Sequence, residues 1–419
     1  MTRRRRDTAI ESVIDKKVPV KKKKENSPWP GFTKSVQKLA EEKSIGLMSP
    51  DKFATRYGVK YFLSTGVPSL NLYLGQEGEN IDTGDFHYGI PTGRFTEIVG
   101  NESSYKTFLL QLIGAEAVRR GGFFFYVSSE LDFDLKFFKS FYDRVGIDWD
   151  EIGEQILCDV APTARDMQNI LKVIFPKLAE LHKTTTLPGP VVIGLDSLAG
   201  MMGGENKDRL YDEKHDGDRT GSHASELHTI FKMSMVEIAK YDTAFVFTNQ
   251  YRADMNIKSQ ADQKPAHNQI VKYYSSNRID LRIGKVVKRV TRKGREFNVA
   301  RELNGKIRKV RGALIGDGSF TMIVRQNGSF DYLHSLVEAM EITRVIDRVK
   351  KDWVLTLDPD SDNPLEMEVA QRFASSEFVS TKELKTYLKT DVEMWPLIEK
   401  LCYQKGPWDV NQEETIDVD

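Results

Sequence analysis

The residues whose chemistry is easiest to name are Gly100-Asn101-Glu102-Ser103-Ser104-Tyr105-Lys106-Thr107. A glycine, a short polar run and a Lys-Thr pair are the parts of a phosphate-binding loop. Its backbone N–H groups converge on phosphate oxygens at a helix N-terminus. Lys106 is expected to contact the β and γ phosphates, and the Thr107 hydroxyl to ligate Mg²⁺. The motif ordinarily places Gly directly before the lysine. Tyr105 stands there instead, so its side chain must point away from the nucleotide and the loop must tolerate a non-Gly backbone.

Three further segments end in groups that suit the same chemistry. Val191-Val-Ile-Gly-Leu-Asp196 is an apolar run closed by an acid, and that carboxylate can hold Mg²⁺ through water. Tyr126-Val-Ser-Ser-Glu130 ends in an acid placed to act as general base on an attacking water. Phe245-Val-Phe-Thr-Asn-Gln250 ends in amides, and Gln250 can sense a γ-phosphate and open the segment that follows. Taken alone, Asp196 has the plainer reading of a strand-end Asp, Glu130 that of a helix N-cap acid, and the Gly100–Thr107 run that of a chance loop. Four suitable strand ends in one order favour nucleotide hydrolysis.

The elements that must position these groups are legible as patterns. Phe95–Val99, Phe123–Ser128, Val191–Leu195 and Ala244–Thr248 are short runs rich in β-branched or aromatic residues. Amphipathic stretches at 107–120, 164–182 and 222–240 separate them. That alternation predicts a parallel sheet with helices on both faces. Residues 279–325 change to alternating strands, predicting an antiparallel extension of the sheet. Ahead of the core, Val36, Leu39 and Ala40 fall at helical spacing from about Thr33, and Ser49-Pro50 reads as the start of a second short helix. Beyond about Ser329, Leu336, Val337 and Met340 share a helical face, and Ser380-Thr-Lys-Glu383 reads as a capping box before Leu384, Tyr387 and Leu388.

Composition narrows the class. The 419 residues are 40% hydrophobic and 29% charged, which is ordinary for a globular protein. Two cysteines exclude a disulfide scaffold and a cysteine-rich zinc site, and point to a reducing cytoplasm. There is no run long enough for a transmembrane helix and no secretory signal. Net charge is zero but uneven. Residues 1–24 hold ten Lys/Arg against three acids, residues 272–311 hold fourteen against three, and 409–419 hold five acids and no base. Basic blocks in a neutral chain suggest a polyanion-binding face; solvated loops and edge strands are the alternative.

With these motifs in hand, the sequence resembles the RecA family of recombinases over roughly residues 33–340. Ser64-Thr-Gly-Val-Pro-Ser-Leu-Asn-Leu-Tyr-Leu-Gly75 is similar to that family's strand and helix before the core, and Gly89-Ile-Pro-Thr-Gly-Arg-Phe-Thr-Glu-Ile-Val-Gly100 to the turn leading into its phosphate loop. Within the family it looks closest to phage recombinases of the UvsX type, which also carry a bulky residue before the lysine. Lys351-Asp-Trp353 and Trp395 look phage-like as well.

The resemblance implies roles by position. Glu130 corresponds to the glutamate that activates water, and Gln250 to the glutamine coupling γ-phosphate to DNA binding. Asp134 and Phe137 match positions that contact and stack on adenine; a core Phe among Phe133, Phe138 and Phe141 is the alternative for the latter. Two DNA loops are expected at about 201–222 and 251–271, with Arg209, Arg219, Arg252, Lys258 and Lys264 toward DNA phosphates. His267 and Asn268 stand where the family has a glycine pair. Lys272 and Arg278 match subunit-interface positions, and Lys309 and Arg311 lie where cations from a neighbouring protomer would reach the nucleotide.

The expected fold is therefore α/β: a RecA-like ATPase core, a short N-terminal helical segment and a small C-terminal α+β domain. The expected partition is a disordered basic tail (1–31), an oligomerisation segment (32–62), the ATPase core (63–328), a C-terminal domain (329–408) and an acidic tail (409–419). The expected activity is a DNA-dependent ATPase using ATP and Mg²⁺, forming homo-oligomeric helical filaments on single-stranded DNA and exchanging strands with duplex DNA, in a bacterial, phage-infected cytoplasm, with mediator and single-strand-binding proteins as further partners. A ring-shaped helicase and a non-hydrolysing DNA-binding adaptor are the rival readings.

Overall fold

The computed structural model describes residues 29–43, 46–75, 88–130, 135–144, 146–185, 187–202, 220–252, 264–292, 295–311, 318–325, 328–350, 352–373 and 377–406. The chain divides into two compact units, Met1–Thr55 and Arg56–Asp419. The basic tail up to residue 28 and the acidic tail lie outside the described residues.

In the first unit, a helix runs Trp29–Glu42 and a second begins at Pro50 and ends at Tyr57. The first starts four residues earlier than its apolar spacing predicts, and inside the expected tail. Pro30 sits in its opening turn, where a missing N–H is no loss. Ser49 opens the second as expected, its Oγ accepting from Lys52 N at 3.4 Å. Phe32, Leu39, Leu47 and Phe53 are exposed.

The second unit is built on a nine-stranded mixed sheet. Ahead of it, β1 (Phe62–Leu63) and β2 (Ile90–Pro91) form a small antiparallel pair. The sheet strands are β3 (Phe95–Gly100), β4 (Phe123–Ser128), β5 (Ile156–Val160), β6 (Val191–Asp196), β7 (Thr243–Arg252), β8 (Lys264–Pro265), β9 (Asn277–Arg292), β10 (Arg295–Lys309) and β11 (Ser319–Arg325). Their order is β11-β10-β9-β3-β7-β6-β4-β5, with β8 joined to β7. From β9 to β5 the pairing is parallel. β10 and β11 add the antiparallel extension.

Period-two alternation divides the strand side chains between two cores. Val192, Ala244, Val246, Ile98 and Phe124 face one cluster with helix Lys106–Arg119, whose Phe108, Leu109, Leu112 and Ile113 are buried. Val191, Ile193, Leu195, Phe245 and Phe247 face the other, covered by helices Ala164–Thr184 and Thr220–Lys240. Helices thus cover both faces, as the alternation of apolar runs requires.

The C-terminal region packs helix Tyr332–Ile342 on helix Pro68–Leu74, with Ser69 Oγ and Ser335 Oγ 2.8 Å apart. A three-stranded antiparallel sheet follows: β12 (Ile346–Val349), β13 (Asp352–Leu355) and β14 (Glu377–Phe378). Leu336, Met340, Trp353, Leu384, Leu388 and Ile398 form its core together with Leu72 and Tyr88. Ser380 caps its helix by accepting from Glu383 N at 3.2 Å, but Glu383 reaches Val379 N at 2.8 Å, so the expected box closes one residue early.

Candidate active site

Helix Lys106–Arg119 begins at the end of β3, so its N-terminus and the loop Gly100–Tyr105 sit at the carboxyl edge of the parallel strands. Ligands bind at that edge in open α/β sheets. Gly100 is required by crowding: a Cβ there would lie 2.3 Å from Ser104 Oγ and 2.4 Å from the Leu281 carbonyl oxygen. Ser104 is buried and donates to the Asn101 carbonyl at 2.8 Å, drawing the loop into a tight turn with Asn101, Glu102 and Ser103 exposed.

Tyr105 takes the left-handed conformation, φ 63° and ψ 31°. That is the backbone a glycine supplies at no cost. The half-buried ring packs against the core and meets Phe108 edge-on, centroids 6.5 Å apart. Packing of the ring against the core offsets the conformational cost of a non-Gly residue at this φ.

Lys106 is 7% exposed. Its Nζ donates to the Asn101 carbonyl at 2.7 Å, and among the described residues no carboxylate forms an ion pair with it. Burial pulls its pKa down, while Asp196, Glu130 and Glu102 oppose that pull. A desolvated cation at a helix N-terminus fits an incoming polyanion. Thr107 Oγ1 donates to Asp196 Oδ2 at 2.6 Å. Two adjacent oxygen donors, one charged, fit a hard cation such as Mg²⁺.

Sequence reasoning missed the groups that fix Asp196. Tyr126 Oη donates to Oδ2 at 3.1 Å and Thr248 Oγ1 to Oδ1 at 2.5 Å. Both come from neighbouring strands, and strand pairing was the signal that identifies them. The Asp196–Ser197 peptide is cis. Ser197 N donates to Ser129 Oγ at 3.0 Å, and Ser197 Oγ donates to Glu130 Oε1 at 3.2 Å, so the ends of β4 and β6 are tied together. Glu130 is exposed, and a Cβ on Gly200 would lie 2.5 Å from the buried Ser129 Oγ and 2.8 Å from Glu130 Oε1. Gln250 is level with Gly100 in the β3–β7 register. The structure therefore brings Gly100 through Thr107, Glu130, Asp196 and Gln250 to one edge of one sheet.

The other expected residues fall elsewhere. Asp134, Arg209, Arg219 and Lys258 lie outside the described residues; Phe137 is on helix Leu135–Arg144 and Arg252 ends β7, but their side chains are not among those described. The neighbouring Phe138 is buried against Tyr126 and Tyr142. Both expected loops are shorter at their ends. Helix Thr220–Lys240 takes the last residues of the first, while β8 and helix Asn268–Tyr274 take the end of the second.

Lys264 pairs with Arg252 across β8 and β7 and, with Lys272, Arg282, Arg308 and Asn101, lines a cavity of about 720 Å³. Arg278 is turned into the chain, its Nε 2.5 Å from Glu97 Oε2 and its side chain 11% exposed. Lys309 and Arg311 are not brought to the phosphate loop of their own chain. Lys309 is level with Arg278, three residues short of Leu281, the β9 partner of Gly100. Lys309 Nζ and Arg311 Nη2 donate to the Lys272 and Tyr273 carbonyls at 2.6 and 3.0 Å, at the C-terminus of helix Asn268–Tyr274. Burial and the nearby Arg311, Arg278 and Lys272 lower the Lys309 pKa to about 8.

Comparison with known proteins follows the same lines. A sequence profile of the RecA N-terminal domain matches residues 74–313. The chain is 27% identical over 257 residues to Protein RecA of Rhodopirellula baltica, covering 60% of this chain and 58% of that one. It is 28% identical over 256 residues to Protein RecA of Aquifex pyrophilus, covering 57% and 65%. Against Protein RecA of Thermus thermophilus it is 28% identical over 221 residues, covering 52% and 55%. The chain spans less than two thirds of the length of each of these relatives.

Proposed function

The chain belongs to the RecA family, and from that premise we propose that it is an ATP-dependent homologous recombinase. The observation that carries the reading is the buried Lys106, without a carboxylate partner among the described residues, beside a Thr107–Asp196 pair at 2.6 Å. In this reading the loop amides and Lys106 hold the triphosphate, and Thr107 and Asp196 hold Mg²⁺. The bound metal supplies charge neutralisation on the phosphates. Glu130 orients the attacking water and takes its proton, while Gln250 reports the γ-phosphate to the second loop. Asp134 and Phe137 hold the adenine.

The two loops, with Arg209, Arg219, Arg252, Lys258 and Lys264, contact the DNA backbone. Protomers associate head to tail into a helical filament, an open heterologous contact. The exposed Phe32, Leu39 and Phe53 support residues 32–62 as the segment that packs on the next protomer. Lys309 and Arg311 serve a neighbour's nucleotide, which fits their distance from their own phosphate loop. The separate apolar cluster after residue 329 supports a small C-terminal domain over 329–408. Tyr105 favours kinship with the UvsX type. The setting proposed is a reducing bacterial cytoplasm during phage infection, consistent with the free thiols of Cys158 and Cys402.

The test is ATP hydrolysis with and without single-stranded DNA. DNA-stimulated turnover is expected, falling about 10²–10³-fold in Lys106→Ala and about 10²–10⁴-fold in Glu130→Gln with ATP binding kept. Strand exchange and filaments in electron micrographs distinguish the recombinase from a ring-shaped helicase. An intact protein that binds DNA and never turns over ATP rejects the enzyme in favour of an adaptor.

A further inference from the structure

Behind the phosphate loop, β3 carries a carboxylate that the chemistry above does not use. Glu97 is fully buried, three residues before Gly100. Burial pushes its carboxyl up, and Arg278 and Asn249 oppose that push. Its oxygens are divided between two other strands. Oε1 accepts from Asn249 Nδ2 on β7 at 2.8 Å, and Oε2 accepts from Arg278 Nε on β9 at 2.5 Å.

Both partners extend the chain of contacts to the stems of the second loop. Asn249 Nδ2 also donates to the Ala266 carbonyl at 2.9 Å, and its Oδ1 accepts from Gln250 N at 2.9 Å. Every side-chain heteroatom of Asn249 is thereby used. Arg278 Nη2 donates to Asn268 Oδ1 at 3.0 Å, at the start of helix Asn268–Tyr274. Ala266 N returns to the Gln250 carbonyl at 2.9 Å. The entry stem at residue 250 and the exit stem at residues 266–268 are tied to one carboxylate on the phosphate-loop strand.

A buried charge pair of this kind contributes little net stability against an apolar equivalent, because desolvation offsets the attraction. Its strength lies in direction: a small shift of the β7 end against β3 breaks bonds that cannot be remade to water. The Gln250 peptide cannot move without disturbing Asn249, and Asn249 cannot move without disturbing Ala266.

We propose that Glu97, Asn249, Arg278 and Asn268 are positioning residues that transmit the state of the phosphate loop to the exit stem of the second loop. The proposal rests on the reading above, that nucleotide and DNA are both ligands of this chain.

The experiment uses the full chain, a fluorescent oligothymidylate and a slowly hydrolysed ATP analogue with Mg²⁺. The quantity read is the ratio of DNA affinities with and without the nucleotide. Asn249→Ala, Asn268→Ala and Arg278→Lys are each expected to lower that ratio about tenfold. The KM for ATP in DNA-free turnover stays within about twofold. The double variant Asn249→Ala/Asn268→Ala loses no more than its worse single, the non-additivity of one network. Asn268 is half-buried and contributes one acceptor, so Asn268→Ala keeps the test open if another variant does not fold. A lowered melting temperature with an unchanged ratio in the folded variants overturns the relay and leaves the recombinase standing. A wild-type ratio of one rejects the functional reading and the relay with it.

Discussion

Tyr105 is the place where this phosphate loop departs from its usual sequence, and its geometry makes a testable inversion. At φ 63° the backbone is left-handed, which costs a non-Gly residue about 1–2 kcal/mol. Glycine removes that cost but adds about 0.5–1 kcal/mol of lost freedom on folding. The balance favours Gly over Ala here by about 0.5–1 kcal/mol, the reverse of their order inside a helix. The ring works in the opposite direction. A tyrosine buries about 150–250 Å² when enclosed, and Tyr105 is half-buried against Phe108. At about 25 cal/mol per Å², losing half of that costs about 2.5 kcal/mol. The expected order of stability is wild type, then Tyr105→Gly about 1.5–2 kcal/mol lower, then Tyr105→Ala about 2.5 kcal/mol lower. Urea unfolding followed by fluorescence, with ATP affinity measured in parallel, reads both parts. ATP affinity is expected to hold within about threefold, because the ring packs on the core. Ala matching or exceeding Gly would refute the left-handed assignment. A tenfold loss of ATP affinity in both would refute the placement of the ring.

Two further outcomes follow from the same geometry. Gly100→Ala puts a Cβ 2.4 Å from the Leu281 carbonyl oxygen, a backbone atom that cannot swing away; about 1–3 kcal/mol of destabilisation and loss of ATP binding are expected, by melting curves and nucleotide titration. Lys309, held to a pKa of about 8 chiefly by burial and then by Arg311, Arg278 and Lys272, is charged at about pH 7 and largely neutral at about pH 9. Its folded pKa lies below its unfolded value, so the unfolded chain binds more protons between them and this group's contribution to stability rises with pH across that window. If Lys309 serves a neighbour's nucleotide as proposed, ATP-dependent assembly is expected to weaken over the same window in light scattering, and Lys309→Arg to flatten the profile; an unchanged profile would exclude Lys309 from the nucleotide.

Much of the architecture was legible because it is written in local periodicity. Val191–Asp196 and Phe245–Gln250 read as strands from their β-branched and aromatic content, and each terminates at the edge where the phosphate loop lies. The run 107–120 reads as a helix from its apolar spacing, and the structure has Lys106–Arg119. Helix Asn268–Tyr274 was less legible. Its seven residues are too few to set a period, and His267 enters it with φ 53°, a conformation that favours glycine. β5 was missed for a related reason: as an edge strand it exposes Leu157 and Val160, so its pattern carries no buried face.

The sequence by itself determined which residue types end or follow the strands and open the helix after β3, and so the chemistry available at the carboxyl edge: Lys106, Thr107, Glu130, Asp196 and Gln250. Only the tertiary structure decided what holds them. Glu97 and Arg278 stand 181 positions apart, and their pairing depends on β9 lying beside β3. Tyr126 and Thr248 reach Asp196 because β4 and β7 flank β6. Arg278, expected at a subunit interface, is turned inward by that same buried glutamate. Periodicity along a chain records which face of an element is buried. The order in which elements lie side by side is set by long-range packing, and it chooses which polar groups must satisfy one another.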